Sequence, residues 1–351
     1  MFADAVYPTY LSKDELDKYL ENAWFRMGQT VFTTQFLRFN QIFYAALWLR
    51  IPVTDFSLSD SQKKLFKQNS RFSIKIKQAE INQEKEDLYA EYREHVSFDP
   101  SPSIQHLLFS DGLNNIFDTL EICIYDYNRL IACGFFDLGE KTIAGISCFY
   151  DPDYKKYSLG KYLMLQKMLY AHQQGYEYFY PGYFAPGYPL FDYKLNLSKS
   201  KTQYFDVFSG SWQLTSEQLL YGNHLTKMLT KLRQMVEYLD AQGIVNKLYQ
   251  YEYYDANLIP HLNDKGLLDY PLFIFCFEQN KDEINPLIIF DIYTDTYKLI
   301  WCNSVYRAAV EENTEVNFCT HLLRPHFELF ESDTPELMAH VIKYGLKMKE
   351  E

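Results

Sequence analysis

Four residues near the middle of the chain have side chains that could transfer a proton or bind an anion. Tyr150 and Asp151 begin the run YDP, and Asp192 and Lys194 lie in the aromatic segment 178–197, YFYPGYFAPGYPLFDYKLNL. A carboxylate or a tyrosine can serve as a base or as a proton relay. A lysine is costly to bury without a partner, so Lys194 among so many rings requires an anionic group nearby.

Each of these residues also has a structural interpretation, which the sequence leaves open. Asp-Pro is a common turn pair, which would explain Asp151. Asp192 could form an ion pair with the neighbouring Lys194. Four tyrosines could line a pocket and stack on a bound group, or could simply pack in the core: Tyr150, Tyr180, Tyr183 and Tyr193.

The elements around these residues follow a regular order. Three apolar runs, LEICIYD, RLIACGFFDL and TIAGISCFY, are separated by short turns and predict antiparallel neighbouring strands. A helix over LGKYLMLQKMLYAHQQG and a strand over YEYFYPGYF follow, with APGYPLFDYKLNL predicted as a loop. The order β-β-β-α-β is that of the GNAT acyltransferase fold, whose last two strands splay apart around the acyl donor. The sequence therefore predicts an α+β fold with a GNAT-like core, a mixed sheet flanked by helices.

A turn at the start of the predicted helix is the second candidate feature. Ser158, Leu159 and Gly160 occupy the place where GNAT proteins carry a glycine-rich phosphate-binding loop. Backbone N–H groups at a helix N-terminus attract phosphate. Only one glycine of that pattern is present, so Ser158 as an ordinary N-cap is the alternative.

The regions on either side of the core predict further elements. Capping boxes or caps predict helices after Ser12 and near 60–69, followed by the strand RFSIKIK and a helix over 84–95. After Gly210, a helical stretch, four strands and a terminal helix predict another α/β unit. The predicted domains are an N-terminal α/β subdomain, a GNAT-like catalytic core and an additional C-terminal α/β domain, at 1–98, 99–212 and 213–351.

Composition excludes several classes of protein. With 47% hydrophobic and 23% charged residues the chain has a globular composition. It has no apolar run long enough for a membrane span, and its start does not resemble a signal peptide. The six cysteines form no C-x-x-C pair and the histidines show no metal-ligand spacing, so we expect reduced thiols, no metal and no cofactor in a cytoplasmic protein.

The net charge of -12 argues against general nucleic-acid binding and against DNA, but the charge is uneven. Residues 50–77 carry seven basic residues against Asp55 and Asp60. A solvated helix face would explain this excess. A phosphate-contacting surface is the other explanation.

Five motifs in order resemble the arginyl- and leucyl-tRNA–protein transferases. They are W-F-R-M-G at 24–28, R-I-P-V-x-x-F-x-x-S-x-S-Q-K-K at 50–64, L-Y-x-x-Y-x-x-x-H at 88–95, Y-D-P with S-L-G at 150–160, and Y-x-G-Y with D-Y-K at 180–194. Members of that family carry cysteines between the first two motifs. Here the interval 29–49 contains none and is rich in aromatic residues, and about 140 residues follow the similar region.

The resemblance implies transfer of an arginine or a leucine-like amino acid from aminoacyl-tRNA to the N-terminal amine of a protein or peptide. The aminoacyl ester is already activated, so no nucleophilic serine or cysteine is required. It makes Asp151, Asp192 and Tyr150 the catalytic candidates. The substrate-binding candidates are Lys194, Tyr180, Tyr183, Tyr193, Ser158, Leu159 and Gly160. The resemblance also makes four residues of the basic run the candidate tRNA contacts: Arg50, Lys63, Lys64 and Lys67.

Two other functions stay open at this point. One is a GNAT-like N-acyltransferase that uses another activated donor, and the other is a non-catalytic module that binds tRNA or a peptide. The expected partners are aminoacyl-tRNA and an acceptor N-terminus, with neither membrane nor DNA.

Overall fold

The structure is a computed structural model that describes residues 1–110, 112, 114–216, 222–276, 286–307 and 317–350. The chain divides into two units. The first, here called the core unit, comprises Val6–Thr33 and Ala46–Thr215, and the C-terminal unit comprises Met1–Ala5, Thr34–Ala45 and Ser216–Glu351. The boundary expected near residue 98 therefore falls inside the core unit.

The core unit is built on a mixed sheet, for which the described residues supply eight strands. In chain order they are β1 Leu47–Pro52, β2 Ser73–Gln78, β3 Thr119–Asp126, β4 Arg129–Leu138, β5 Thr142–Tyr150, β6 Tyr178–Phe184, β7 Gln203–Asp206 and β8 Ser211–Leu214. Across the sheet the order is β8-β7-β1-β6-β5-β4-β3-β2. The strands Phe25–Met27 and Thr30–Thr34 form a separate hairpin.

Six helices of the described residues accompany this sheet: α1 Lys13–Glu21, α2 Asp60–Asn69, α3 Gln83–Glu94, α4 Ile104–Phe109, α5 Leu159–Gln173 and α6 Asp192–Leu195. The capping boxes at Ser12 and Ser59 are both present, since each serine accepts from the third helical N–H and the residue there bonds back. The predicted α+β class and GNAT-like order, three antiparallel strands followed by α5 and a parallel strand, are confirmed.

β5 and β6 separate soon after they begin. They pair in parallel only from Thr142 to Ala144, opposite Tyr178 to Tyr180. Beyond Ala144, β5 has a bulge against β4, and β6 continues beside β1 through Gly182, which has a φ of +83°. The two strands therefore part in the way that the GNAT order predicts. The region where they are no longer paired is called the cleft below.

The segment after β6 differs from the predicted loop. It contains a turn of 3-10 helix at Pro189–Phe191 and then α6. The prolines and glycines indicate a loop locally. The short helix forms nevertheless because Lys194 and Leu197 are buried, an arrangement that depends on tertiary packing and not on propensity.

The C-terminal unit has a sheet with six strands in the described residues: Lys247–Tyr251, Leu272–Phe275, Leu287–Asp291, Thr296–Arg307, Phe318–Cys319 and His321–Ser332. Two helices, α7 His224–Ala241 and α8 Pro335–Glu350, share its apolar core. The sequence predicted a helical stretch from Ser216 to Asp240. The helix α7 begins after its cap Asn223. Residues 217–221 lie outside the described residues. The pattern did not indicate the long strand His321–Ser332.

The cysteine-free interval contributes aromatic residues to apolar cores. Trp48 stacks on Phe25 in the core unit, with ring centroids 4.1 Å apart. Phe36 and Phe43 belong to the apolar core of the C-terminal unit. Of the helices described, none is long and apolar enough to cross a membrane.

Candidate active site

Lys194 lies beside the cleft between β5 and β6, on α6, and is only 8% exposed. Its Nζ donates a hydrogen bond to the Tyr183 carbonyl oxygen at 2.7 Å and lies 4.8 Å from the centroid of the Phe191 ring. No carboxylate of the described residues acts on it. Burial therefore lowers the pKa of Lys194 to about 7, with the neighbouring Cys148 opposing the shift.

The expected anionic partner of Lys194 is thus missing from the part of the chain that the structure describes. Asp192, the carboxylate considered for an ion pair, lies on the exposed side of α6 and does not reach Lys194. Instead of being compensated by an acid, the buried amine gives up its proton near neutral pH. A lysine in this state can accept a proton, which an ordinary surface lysine cannot do at that pH.

A second buried lysine contacts Cys148, and the sequence interpretation missed it. Lys167 on α5 donates through Nζ to the carbonyl oxygens of Phe135 and Ser147, both at 2.8 Å, and to Cys148 Sγ at 3.3 Å. A Cβ at Gly134 would lie 3.0 Å from this Nζ, so glycine leaves the necessary room. The sequence feature that could have indicated this buried lysine is its position within the mostly apolar helical run LMLQKMLY.

Three tyrosines lie near Cys148 or near one another. Tyr92 and Tyr150 have ring centroids 5.5 Å apart. Tyr193 is 38% exposed, and burial of its hydroxyl raises its pKa, with Cys148, Tyr92 and Tyr183 near enough to add to the effect. Tyr92 belongs to the L-Y-x-x-Y-x-x-x-H run but was not among the predicted site residues.

Two other predicted tyrosines have different positions. Tyr180 is buried in an apolar cluster, with Phe25 and Trp212 at centroid distances of 5.9 and 5.5 Å, and burial raises its pKa to about 12. It packs in the core and does not line the cleft. Tyr183 contacts Phe191 edge to face at 5.3 Å and provides the carbonyl that Lys194 binds.

Asp151 is 1% exposed and organises the turn that leads into α5. Its side chain accepts from the Asp153 N–H at 2.9 Å and forms an ion pair with Arg129 at 2.5 Å. Its own N–H donates to the Ile131 carbonyl at 2.9 Å. The carboxylate is therefore committed to the turn, which is the structural interpretation of the Asp-Pro pair.

The turn at Ser158, Leu159 and Gly160 does not have an ordinary N-cap. Ser158 has a φ of +51° and its side chain makes no cap hydrogen bond, so the N-cap interpretation of its hydroxyl is wrong. Leu159 is buried in the core. Gly160 faces Tyr150, whose ring would lie 3.4 Å from a Cβ at this position. The first N–H groups of α5 are thus not occupied by the Ser158 side chain.

The basic run 50–77 does not form a single surface. Arg50 lies between the rings of Tyr178 and Trp212, at 4.3 and 4.7 Å, and bonds Gln203 Oε1 at 2.7 Å. Arg71 and Lys77 pair with Asp126 and Glu80. The exposed lysines of this run that remain together are on α2: Lys63, which pairs with Asp60 at 3.2 Å, Lys64 and Lys67.

α2 connects the two sides of the candidate site. Gln62 Nε2 donates to the Leu197 carbonyl at 2.9 Å, just after α6. Asn69 Nδ2 donates to the Tyr157 carbonyl at 3.1 Å, just before the turn into α5. Both amides are buried. The polar residues of the second motif therefore position the site through backbone carbonyls.

Comparisons with known proteins identify the family of the chain. The family model described as Arginine-tRNA-protein transferase, C terminus, matches residues 84–204. The aspartate/glutamate leucyltransferase of Leptospira interrogans is 31% identical over 195 residues, which are 54% of this chain and 74% of that protein. The chain belongs to the aminoacyl-tRNA–protein transferase family. The resemblance to this family and the acyltransferase activity, both predicted from the sequence, are therefore confirmed.

Other similar proteins cover less of the chain or resemble it less. An aspartate/glutamate leucyltransferase of Campylobacter jejuni is 25% identical over 219 residues, 58% of this chain and 89% of that protein. The solved C-terminal domain of a putative lysylphosphatidylglycerol synthetase from Agrobacterium fabrum has a TM-score of 0.31 at 15% identity, and the match covers 39% of this chain and 46% of that one. A GCN5-related N-acetyltransferase from Kribbella flavida has a TM-score of 0.25 at 12% identity, with coverage of 40% and 48%.

The W-F-R-M-G motif of this transferase has a structural role. Arg26 is buried and bonds Asp137 Oδ1 and Thr119 Oγ1 at 2.8 and 2.9 Å. Burial lowers the pKa of Arg26 and raises that of Asp137, and each partner opposes the shift of the other. A cavity of about 210 Å³ lies beside this pair, lined by Arg26, Ala79, Ile81, Gln105, Leu108, Phe109, Asn115 and Thr119. None of these residues belongs to the cleft.

The lowered pKa of Lys194 predicts a pH-dependent contribution to stability. The unfolded chain holds this proton up to its ordinary pKa of 10.5 and the folded protein only up to about 7. Because the unfolded state binds more protons in this window, stability rises with pH. Between about pH 6.5 and 9 the protein should gain roughly 2 kcal/mol over a Lys194→Met variant, measured by urea unfolding. The exposed Lys199→Met is the control, and a constant difference between wild type and Lys194→Met would contradict the assignment.

Proposed function

We propose that this transferase moves a leucine-like amino acid from aminoacyl-tRNA to the N-terminal amine of a protein or peptide that begins with aspartate or glutamate. Family membership supports the reaction type. The names of the relatives, aspartate/glutamate leucyltransferase, support this donor and these acceptors. The observation that carries the proposal is the cleft where β5 and β6 part, with the buried Lys194 beside it.

The proposed role of Lys194 is to activate the acceptor amine. An N-terminal α-amine has a pKa near 7.7–8.0 in free peptides, so at neutral pH most of it is protonated and not nucleophilic. Lys194, whose pKa is about 7, can accept that proton and still lose it to water. The neutral amine then attacks the ester carbonyl carbon, the new C–N bond forms, and the ribose oxygen of the tRNA leaves and takes up a proton.

The other candidates take supporting roles in this proposal. Tyr150 and Tyr193 border the cleft, where their rings would contact the aminoacyl side chain or the terminal base. Asp151 holds the turn before α5, whose first N–H groups would face a phosphate of the donor. Asp192 lies on the exposed rim of α6, where it would meet the acceptor chain after its first residue.

The proposed tRNA surface uses only part of the basic run 50–77 and adds lysines from outside it. It comprises Lys64 and Lys67 on α2 together with the exposed Lys155 and Lys156 of the turn Pro152–Tyr157. The two segments are joined because Gln68 Nε2 donates to the Lys156 carbonyl at 3.1 Å. These ammonium groups surround the start of α5, where an acceptor stem would pass. Arg50 is excluded by its stacking between two rings.

The transfer reaction tests the proposed function directly. Leucyl-tRNA, arginyl-tRNA and acetyl-CoA are offered separately with peptides that begin with Asp, Glu or Ala, and the products are identified by mass spectrometry. We expect leucine to be added to the Asp and Glu peptides. Product from acetyl-CoA alone would favour an acyltransferase with another donor, and tRNA binding without any product would favour a binding module.

Two substitutions separate the base role of Lys194 from a role in binding an anion. Lys194→Met should lower kcat by about 10²–10⁴-fold and remove the rise in kcat/KM through pH 7. Arginine keeps the positive charge but does not give up its proton, so Lys194→Arg should be as inactive as Lys194→Met. Activity retained in Lys194→Arg would show that the charge binds substrate instead. Lys199→Met controls for a general effect on this segment.

Charge reversal tests the tRNA surface. The double variant Lys64→Glu and Lys67→Glu should bind tRNA more weakly, with the slope of log K against log salt reduced by about 2. Fluorescence anisotropy at several salt concentrations measures both quantities. The control is the double variant Lys18→Glu and Lys141→Glu, which changes the net charge equally at exposed sites outside α2. An equal loss of tRNA affinity in the two double variants would contradict the placement of α2 in the tRNA surface.

A further inference from the structure

Cys148 differs from the other cysteines of the chain in its accessibility. Five of the six cysteines are buried, at 123, 133, 276, 302 and 319, and Cys148 alone is partly exposed. It lies on β5 beyond the bulge, where β5 has separated from β6. A reagent that enters the cleft therefore meets this thiol and none of the other five.

Lys167 places a positive charge directly beside the sulfur of Cys148. Its Nζ has three acceptors, the carbonyls of Phe135 and Ser147 and the Cys148 Sγ. Three acceptors match the three N–H bonds of an ammonium group, whereas a neutral amine has only two. The ion pairs of the described residues do not include Lys167. Cys148 is thus the one group in contact with this charge that can itself become an anion.

Lys194 is a second amine near enough to Cys148 to interact with it electrostatically. It is nine-tenths buried, and one carbonyl, that of Tyr183, is the acceptor that the structure gives for its Nζ. An anion at Cys148 favours the charged form of Lys194. Two lysines without a carboxylate partner therefore lie near the same sulfur, and below about pH 7, where Lys194 holds its proton, both attract negative charge to Cys148.

We propose that Cys148 is a covalent modification site for small anionic electrophiles, located in the acyl cleft, and that its modification stops aminoacyl transfer. The proposal goes beyond the transfer reaction, which needs no cysteine. Iodoacetate is a reagent of the required class. The sulfur attacks the carbon that carries iodide, the S–C bond forms, the C–I bond breaks with its electron pair to give iodide, and the thiol proton passes to water.

The ratio of two alkylation rates measures the attraction for anions at this thiol. Iodoacetate is an anion and iodoacetamide is its neutral analogue, so the fraction of thiolate cancels when both react with the same sulfur. We expect the ratio at Cys148 to exceed that of free glutathione by about tenfold at low salt and to fall as salt is added. A ratio equal to that of glutathione, or faster labelling of another cysteine by peptide mass spectrometry, would overturn the proposal.

Variants at the two lysines test the cause of the preference. At pH 6, where Lys194 still holds its proton, Lys194→Gln and Lys167→Met should each lower the iodoacetate-to-iodoacetamide ratio at Cys148. If Lys167→Met does not fold, Lys194→Gln decides the matter alone. The Lys64→Glu variant, which changes a charge on the outer face of α2, should leave the ratio unchanged. An unchanged ratio in Lys194→Gln would contradict the proposal.

The effect on transfer is measured separately from the labelling. The protein is treated with iodoacetate, and the fraction of activity lost is compared with the fraction of Cys148 modified. We expect the two fractions to rise together in the wild type, and a Cys148→Ser variant to keep its own initial activity under the same treatment. Modification without loss of transfer would refute the second half of the proposal. The labelling ratio does not depend on the proposed function, so the two failures are distinguishable.

Discussion

The cleft depends on the hydrogen bonds that Lys167 makes inside the sheet. The bulge in β5 interrupts the ladder with β4, and the ammonium group of Lys167 bonds carbonyls on both strands, those of Phe135 and Ser147. An unpaired buried carbonyl costs about 1–3 kcal/mol, so this contact makes the bulge stable. Once β5 is displaced at the bulge it no longer follows β6, and the space between them becomes available for a substrate.

The helix α2, which begins in the second motif of the family, positions the two segments that border the same cleft. Gln62 and Asn69 lie on the same face of α2, and their side-chain amides donate hydrogen bonds to the carbonyls of Leu197 and Tyr157. These carbonyls lie next to α6 and to the turn into α5, so one helix fixes both borders of the site. This explains physically why an N-terminal segment belongs to the core unit. This role of α2 also explains why the helix combines the buried amides of Gln62 and Asn69 with exposed lysines.

Local patterns were sufficient to predict the elements whose determinants are local. The three-strand meander follows from alternating apolar runs and short turns. The helix α1 follows from the capping box at Ser12, and α2 from the cap expected at Ser59 or Asp60. α6 could not be predicted in this way, because prolines and glycines dominate its segment and burial of Lys194 decides its conformation. The stacking of Arg50 on Tyr178 and Trp212 joins residues distant in sequence, so a count of charges could not show that this arginine packs between two rings. The pairing of Lys167 with Cys148 is equally non-local.

The distribution of charge in the cleft decides which groups can do proton chemistry there. Asp151 is occupied by Arg129 and by its own turn, and Asp192 is exposed, so neither carboxylate compensates Lys194. Burial then lowers the pKa of that amine, with Cys148 opposing the shift. In the proposed reaction, Lys194 is positively charged below about pH 7 and can attract the acidic side chain of the acceptor. Above that pH the same lysine is neutral and can accept the proton of the α-amine.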